Sequence, residues 1–262
     1  MKTPVADLPP SPLSRFRQAL VGWLYPPICA SCEIPLDTPR QLLVPFLCEA
    51  CEATLVPIGD HYCQVCGQGF DGVSALPFRC GNCGDRELAI DFAVSAYRGA
   101  GPGKGLVHRF KYGKERHLAR LLGTLLDEVW RDPRLSEGGP WWVVPVPLHP
   151  RRERERGFNQ SRELARELVH RAPSGLVKGP VDLLRRVRET GRQARLDRKE
   201  RLGNLAGAFA ARKRPLSLPQ GDLRLLLVDD VLTTGATVSE CAAILRGALE
   251  IDEIAAVSVL RG

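Results

Sequence analysis

Residues 225–237 read LLLVDDVLTTGAT, from Leu225 to Thr237. Four apolar residues run into two adjacent carboxylates, Asp229 and Asp230, and a Thr-Thr-Gly-Ala-Thr turn follows. A short apolar run closed by a turn signal predicts a buried strand of a parallel sheet. Downstream, Val238, Ala242, Leu245 and Leu249 recur at steps of four, three and four, the spacing of one helix face. The stretch therefore reads strand, loop, helix. The acids fall at the carboxyl end of the strand, where open α/β sheets hold ligands. Thr233, Thr234, Gly235, Ala236 and Thr237 offer hydroxyls and backbone N–H groups at a helix N-terminus, a place suited to phosphate. Carboxylates beside such a cradle fit a sugar phosphate, with the acids accepting from ribose hydroxyls.

This run resembles the phosphoribosyl pyrophosphate (PRPP) signature of type I phosphoribosyltransferases, in which four apolar residues and two acids precede a Thr-Gly-x-Thr turn. The flanking sequence alternates in the same manner. Strands are expected at Ala89–Arg98, Trp142–Val146, Leu183–Val187 and Ile254–Leu260, and helices over Leu118–Val129 and Gln160–His170. Alternation of this kind from residue 89 onward predicts a parallel sheet with helices on both faces. The Gly-rich run Gly99–Gly105 reads as a turn, and His108–Tyr112 mixes basic and aromatic side chains.

Eight of the nine cysteines form C-x-x-C pairs: Cys29/Cys32, Cys48/Cys51, Cys63/Cys66 and Cys80/Cys83. A structural zinc ion needs four soft ligands in a tetrahedron, and two knuckles supply them, so eight thiols suffice for two ions. The pairing is open. Sequential sites would join the first two pairs and the last two; crossed sites would join first with third and second with fourth. Gly67, Gly81 and Gly84 stand in or just after knuckles, where a positive φ is expected. Cys241 stands apart on the helix after the acidic motif and reads as a small buried apolar residue. A small ribbon has little apolar surface to bury, so its fold depends on metal.

At 262 residues with 44% hydrophobic and 26% charged side chains, the chain can bury a sizeable core and is unlike a disordered one. It has no apolar run of about 18 residues, so no transmembrane segment is expected. No secretory signal is evident, and a cytoplasmic location is expected. Ser14–Tyr25 has helical spacing at Phe16, Leu20, Trp23 and Leu24, which suits docking on the ribbons or a peripheral position on a membrane surface. The expected division is 1–25 for this segment, 26–87 for the ribbons and 88–262 for the sheet domain.

The net charge of +7 is unevenly spread, since residues 151–214 hold 19 Lys or Arg against 8 Asp or Glu. Such a concentration suits pyrophosphate, nucleic acid or an acidic partner. Within it, Val143–Gln160 (VVPVPLHPRRERERGFNQ) predicts a strand, a Pro-fixed turn and a second helix entry, with Arg151 and Arg156 as candidates to meet an anion. Leu184–Phe209 is long, polar and basic, a composition that suits a lid over an anionic ligand or a linker.

Taken in order, the four C-x-x-C pairs, VPVPLHPRRERERGFNQS, the R-x-R-x-T-x-x-Q pattern at Arg186–Gln193, Glu200-Arg201-x-x-Asn204 and VDDVLTTGAT resemble the ComF family, double-zinc-ribbon proteins with an amidophosphoribosyltransferase-like domain. The resemblance covers the chain from about Pro26. It implies an α/β fold of the type I phosphoribosyltransferase kind preceded by a double zinc ribbon. Asp229 and Asp230 would lie on the ribose hydroxyls, Thr233–Thr237 on the 5′-phosphate, and Thr190–Asn204 would be a hood. Mg²⁺ would accompany PRPP. The resemblance also implies a role in DNA uptake, with single-stranded DNA and a competence helicase as partners. One departure narrows the chemistry: where purine-salvage members of the wider fold carry an Asp as proton acceptor, this chain has Thr233, which is no general base near neutral pH. No catalytic residue is assigned.

Overall fold

A computed structural model describes residues 27–36, 46–72, 78–84, 87–189, 207–214, 218–219 and 221–262. The chain divides into two compact units, Met1–Glu52 and Ala53–Gly262. In the first, Ile28 and Pro35 form an antiparallel bridge around the Cys29–Cys32 knuckle. The Cys29 N–H donates to the Ile34 carbonyl at 2.8 Å, and the Ala30 N–H donates to the Phe46 carbonyl at 2.7 Å. The short helix α1 (Glu49–Ala53) follows Cys48.

The second unit begins with a knuckle region that includes the short helix α2 (Gly81–Gly84). Strand β1 (Phe92–Arg98), helix α3 (Gly101–Tyr112) and helix α4 (Leu118–Leu126) follow, and α4 continues as a 3-10 turn over Asp127–Arg131. Next come α5 (Pro133–Ser136), β2 (Trp141–Pro145), α6 (Pro150–Arg156), α7 (Gln160–Arg171) and β3 (Val177–Lys178). The chain ends with β4 (Leu184–Arg186), β5 (Phe209–Ala211), β6 (Arg224–Leu232), α8 (Ala236–Ala248) and β7 (Glu253–Arg261). Among the described residues, five strands pair in the order β1-β7-β6-β2-β3, every pair parallel.

A parallel sheet survives only when both faces are covered, and its central strands show this. Leu225, Leu226, Leu227 and Val228 of β6 are fully buried, as are Ile254 to Val257 of β7. Each such Leu, Val or Ile side chain contributes roughly 1.5–3 kcal/mol through burial. The stripe Leu118, Leu121, Leu122, Leu125, Leu126 and Val129 is buried as expected, and so is Cys241.

Three expectations change. Gly101–Gly105 is the first turn and a half of α3, with Pro102 in the position that starts helices. Gly103 is there for close packing, since a Cβ on it would lie 2.9 Å from Leu260 Cδ2. Leu184–Arg186 is a strand, but it pairs antiparallel with Phe209–Ala211, outside the parallel sheet. Of the three knuckle glycines, Gly67 has the positive φ (66°), whereas Gly81 and Gly84 sit in the helical turn α2. The N-terminal amphipathic segment and the hood Thr190–Asn204 lie outside the described residues.

The second knuckle region is hydrogen-bonded along the edge strand β1. The Ala93 N–H donates to the Val65 carbonyl (2.8 Å), Arg98 N–H to Val56 (2.8 Å) and Ile58 N–H to Ala96 (3.2 Å). Backbone groups that an edge strand would expose are thereby satisfied. Gly67 permits the approach, since a Cβ there would meet the Ala93 carbonyl oxygen at 2.6 Å.

Candidate functional site

The chain leaves β2 toward β3 on one side and leaves β6 toward β7 on the other. A crevice opens at such a reversal, beyond the carboxyl ends of the two strands. Asp229 and Asp230 stand there on β6, and the loop Thr233–Gly235 leads into α8. Gly235 caps α8 with φ 74°, a left-handed conformation that favours glycine, and the Ala236 N–H donates to Thr234 Oγ1 at 3.4 Å. Thr233 is exposed, and Thr234 and Thr237 are half-buried.

The segment after β2 closes the other side. His149 caps α6 through its Nδ1, which accepts from the Arg151 N–H (3.3 Å), and Gly157 ends the helix at φ 90°. Asn159 then has two tasks. Its Oδ1 caps α7 by accepting from the Ser161 N–H (3.0 Å), and its Nδ2 donates to the Val146 carbonyl (3.2 Å). That cap pins the start of α7 to the end of β2. Ser161 is thereby placed so that its hydroxyl donates to Asp229 Oδ1 at 2.9 Å.

The carboxylates have unlike surroundings. Asp230 is 2% exposed and pairs with the Lys111 ammonium at 2.8 Å. Burial opposes the charge on Lys111, but Asp230 and then Asp229 outweigh it and raise the lysine above its ordinary range. Asp229 is pushed up to about 7, first by desolvation and then by the charge of Asp230, against the pull of Lys111, the Asp230 N–H and Ser161. Guanidinium groups stand nearby. Burial lowers the basicity of both Arg156 and Arg186, and the charge of Arg152 lowers each further, while Asp229 acts in the opposite sense on both. Arg156 also donates to Gln160 Oε1 and lies over the Tyr112 ring at 5.5 Å.

The sequence-derived candidates divide accordingly. Asp229, Asp230 and Arg156 are brought together beside the Thr233–Thr237 loop. Arg151 is turned to the surface, where it pairs with Glu155 (3.1 Å) and Glu189 (3.3 Å). Lys111, Ser161, Arg152 and Arg186 belong to the site without having been singled out for it. The His108–Tyr112 cluster is open only in part: His108 and Tyr112 are exposed, with ring centroids 4.9 Å apart, while the residues between them are engaged. Phe110 is fully buried, Arg109 is held by Glu115 (2.8 and 2.6 Å), and Lys111 points to Asp230.

The raised Asp229 sets a pH dependence of stability. Its folded-state pKa, about 7, lies above the ordinary 3.8, so its favourable contribution is complete below pH 3.8 and is lost as pH rises to about 7. Asp229→Asn removes that loss and keeps an acceptor for Ser161. Without ligand, the variant is expected to melt above wild type, by a margin that widens from pH 5 to 7 and then levels off. A margin that is constant across this range, measured by differential scanning fluorimetry, would contradict the assignment.

The cysteines resolve into two sets, Cys29, Cys32, Cys48, Cys51 and Cys63, Cys66, Cys80, Cys83, each with its sulfurs within 4.8 Å of one another. The pairing is sequential. Sulfurs bound to one zinc at about 2.3 Å in a tetrahedron would be about 3.8 Å apart; Cys32 and Cys48 stand at 3.6 Å, Cys66 and Cys80 at 3.5 Å. Backbone N–H groups already donate to the sulfurs, from Cys48 to Cys29 (3.4 Å) and from Cys80 to Cys63 (3.3 Å). In the second set the Cys66 thiol, donating to Cys63, brings Cys63 down to about 4. In the first, burial opposes ionisation of Cys29, but N–H donors from Cys32, Cys48 and Ser31 bring it to about 6. Four clustered sulfurs per set, with backbone N–H groups donating to them, fit two structural zinc ions.

The molecule is a parallel-sheet α/β protein with paired carboxylates at its switch point and two four-cysteine clusters. The double zinc ribbon domain family matches residues 20–84. The DNA utilization protein YhgH of Salmonella typhi is 34% identical over 218 residues, covering 78% of this chain and 92% of that protein. Competence protein F of Haemophilus influenzae is 32% identical over 212 residues, 79% of this chain and 87% of that one. Competence protein ComFC of Streptococcus pneumoniae is 28% identical over 210 residues, with 77% and 82% covered. The chain belongs to the ComF/YhgH family of competence and DNA utilization proteins. Among the described residues, no helix is long and apolar enough to cross a membrane.

Proposed function

We propose that this protein binds PRPP, or a closely related sugar phosphate, together with Mg²⁺, and acts in DNA utilization. The observation that carries the reading is the adjacent pair Asp229–Asp230, the first half-buried and the second buried and neutralised by Lys111, set directly before a hydroxyl-rich loop at the N-terminus of α8. Ionised carboxylates are strong acceptors for vicinal hydroxyls, and the loop's N–H groups favour a phosphate dianion. Arg152, Arg156 and Arg186 supply positive charge on the β2 side, suited to pyrophosphate. Mg²⁺, when bound, would neutralise part of the pyrophosphate charge. Thr233 cannot act as a general base, so any transfer would need an acceptor that is itself nucleophilic. The link to DNA rests on the family and on the names its members carry.

In a thermal-shift experiment, PRPP at about 100 times its Kd should stabilise by about 2.7 kcal/mol. For a chain of this size that corresponds to a rise of roughly 5–11 °C. The rise should require Mg²⁺ and be absent with ribose alone. No shift at millimolar PRPP with Mg²⁺ would remove the proposal.

The net charge of +11 over residues 151–214 supports a second reading, direct contact with single-stranded DNA. Much of the described charge is already engaged, as Arg162 is by Glu153 and Asp182, and Arg171 is by Asp127. Arg195, Arg198 and Lys199 lie outside the described residues. If they contact the strand, replacing them with Gln flattens the salt dependence of DNA affinity, at about 0.7 per phosphate neutralised. If they close over PRPP instead, the triple variant weakens PRPP and spares DNA.

A further inference from the structure

The last strand ends in a buried cation that the reading above leaves without a role. Arg261 is 3% exposed. Its Nε donates to the Cys66 carbonyl at 3.1 Å and its Nη2 to Cys66 Sγ at 3.3 Å. Its Nη1 donates to the carbonyls of Leu232 (2.9 Å) and Gly262 (2.7 Å), and also to that of Thr233. One guanidinium therefore joins the second cysteine cluster to the two residues that lead into the phosphate loop. Burying a charge is costly unless its donors are met, and here the fork is spread over both partners.

A second contact runs in parallel. Leu88 packs against the cluster of Cys63, Cys66, Cys80 and Cys83. Its Cδ1 also lies 3.3 Å from the place a Cβ on Gly235 would take. The loop is thus held at both ends, at Leu232–Thr233 by Arg261 and at Gly235 by Leu88. Each holding group rests on the same cysteine cluster.

We infer that the second cysteine cluster is a clamp on the phosphate loop, with Arg261 as the positioning residue, so that zinc there and a sugar phosphate at Thr233–Thr237 bind cooperatively. The ligand half of this inference rests on the proposed function. A metal-bound Cys66 is a fixed, electron-rich acceptor for a charged donor. While it is fixed, Arg261 holds the Leu232 and Thr233 carbonyls in one orientation, and the loop N–H groups need no reordering when phosphate arrives. When the knuckle loosens, Arg261 loses its anchor and the loop must be ordered by the ligand itself, which weakens binding. Coupling of this kind is reciprocal: the ligand tightens zinc as much as zinc tightens the ligand.

The test uses the full chain and Arg261→Lys, whose single ammonium cannot span Cys66 and Leu232–Thr233 together. The variant should keep two zinc ions. Its amide hydrogen exchange across 232–237 should be about tenfold faster, with β2 amides at Val143 and Val144 unchanged, and PRPP should bind about tenfold more weakly. In wild type, saturating Mg²⁺ and PRPP should make one of the two zinc ions about tenfold harder to remove with a zinc-selective chelator, and Arg261→Lys should abolish that protection. Wild-type exchange and PRPP affinity in the variant would overturn the clamp, as would PRPP binding that protects neither zinc. The chelator titration on wild type decides the matter even if the variant does not fold. If PRPP fails to bind wild type while Arg261→Lys still loosens the loop, the clamp stands and the sugar-phosphate reading falls.

Discussion

Asp229→Asn combined with Asp230→Asn is expected to abolish PRPP binding and leave a folded protein. The change preserves shape and removes both charges that would hold ribose hydroxyls and accompany Mg²⁺. Hydrogen bonds to charged groups contribute about 1.5–3 kcal/mol each, so losing two should weaken binding by at least about a hundredfold. The fold should persist because β6 stays locked between β2 and β7 through its fully buried Leu225–Val228. Asp230→Asn deprives Lys111 of its ion pair at 2.8 Å. Asp229→Asn relieves a carboxyl that burial and its neighbour push up to about 7. Circular dichroism should match wild type, and calorimetry with PRPP should show no heat of binding. A double variant that binds PRPP as tightly as wild type would show that the ligand site lies elsewhere.

The second large effect concerns metal. The purified protein is expected to hold two zinc ions per chain, since each four-sulfur set has the spacing and the N–H donors of a tetrahedral thiolate site. Structural zinc contributes on the order of 10 kcal/mol of apparent binding energy at neutral pH. Cys63→Ser should therefore lose one zinc and sharply lower the melting temperature of the sheet unit. The reason is local: the knuckle around Cys63 and Cys66 shares backbone hydrogen bonds with β1, through Val65 and Ala93 among others. Elemental analysis that gives one zinc or fewer in the wild-type protein, with no loss of folding on chelation, would contradict this account.

What could be read from the sequence was local. The strand, loop and helix at Leu225–Thr237 announce themselves within one stretch, because an apolar run and a hydroxyl-rich turn need no distant partner to be recognised. The C-x-x-C knuckles are local too, but which pairs share a metal is a matter of packing, and only the structure resolves it. Lys111 was legible as a basic residue and not as the partner of Asp230, because that contact joins α3 to β6 across the fold. The glycines at 101–105 look like a turn in sequence for a similar reason, since the need for Gly103 comes from Leu260 on the last strand.

Arg151 and Arg152 differ in their phase on α6. On a helix, residues four apart share a face. Arg151 and Glu155 are such a pair and bind each other on the surface, whereas Arg152 and Arg156 are the next such pair, and their charges act on one another. The phase of α6 thus sets Arg152 beside Arg156 and Arg151 beside Glu155. Arg261 left no comparable trace in the sequence, because its partners at Cys66 and Leu232 are backbone carbonyls and a sulfur brought together only by the fold.

The central claim is that the carboxylate pair and the loop after it form a sugar-phosphate site, and a calorimetric titration of wild-type, zinc-loaded protein with PRPP tests it most directly. The account predicts saturable binding at one site per chain that depends on Mg²⁺ and is lost in the Asp229→Asn, Asp230→Asn variant. Absence of binding with Mg²⁺ present, or binding of equal strength in the double variant, would contradict it.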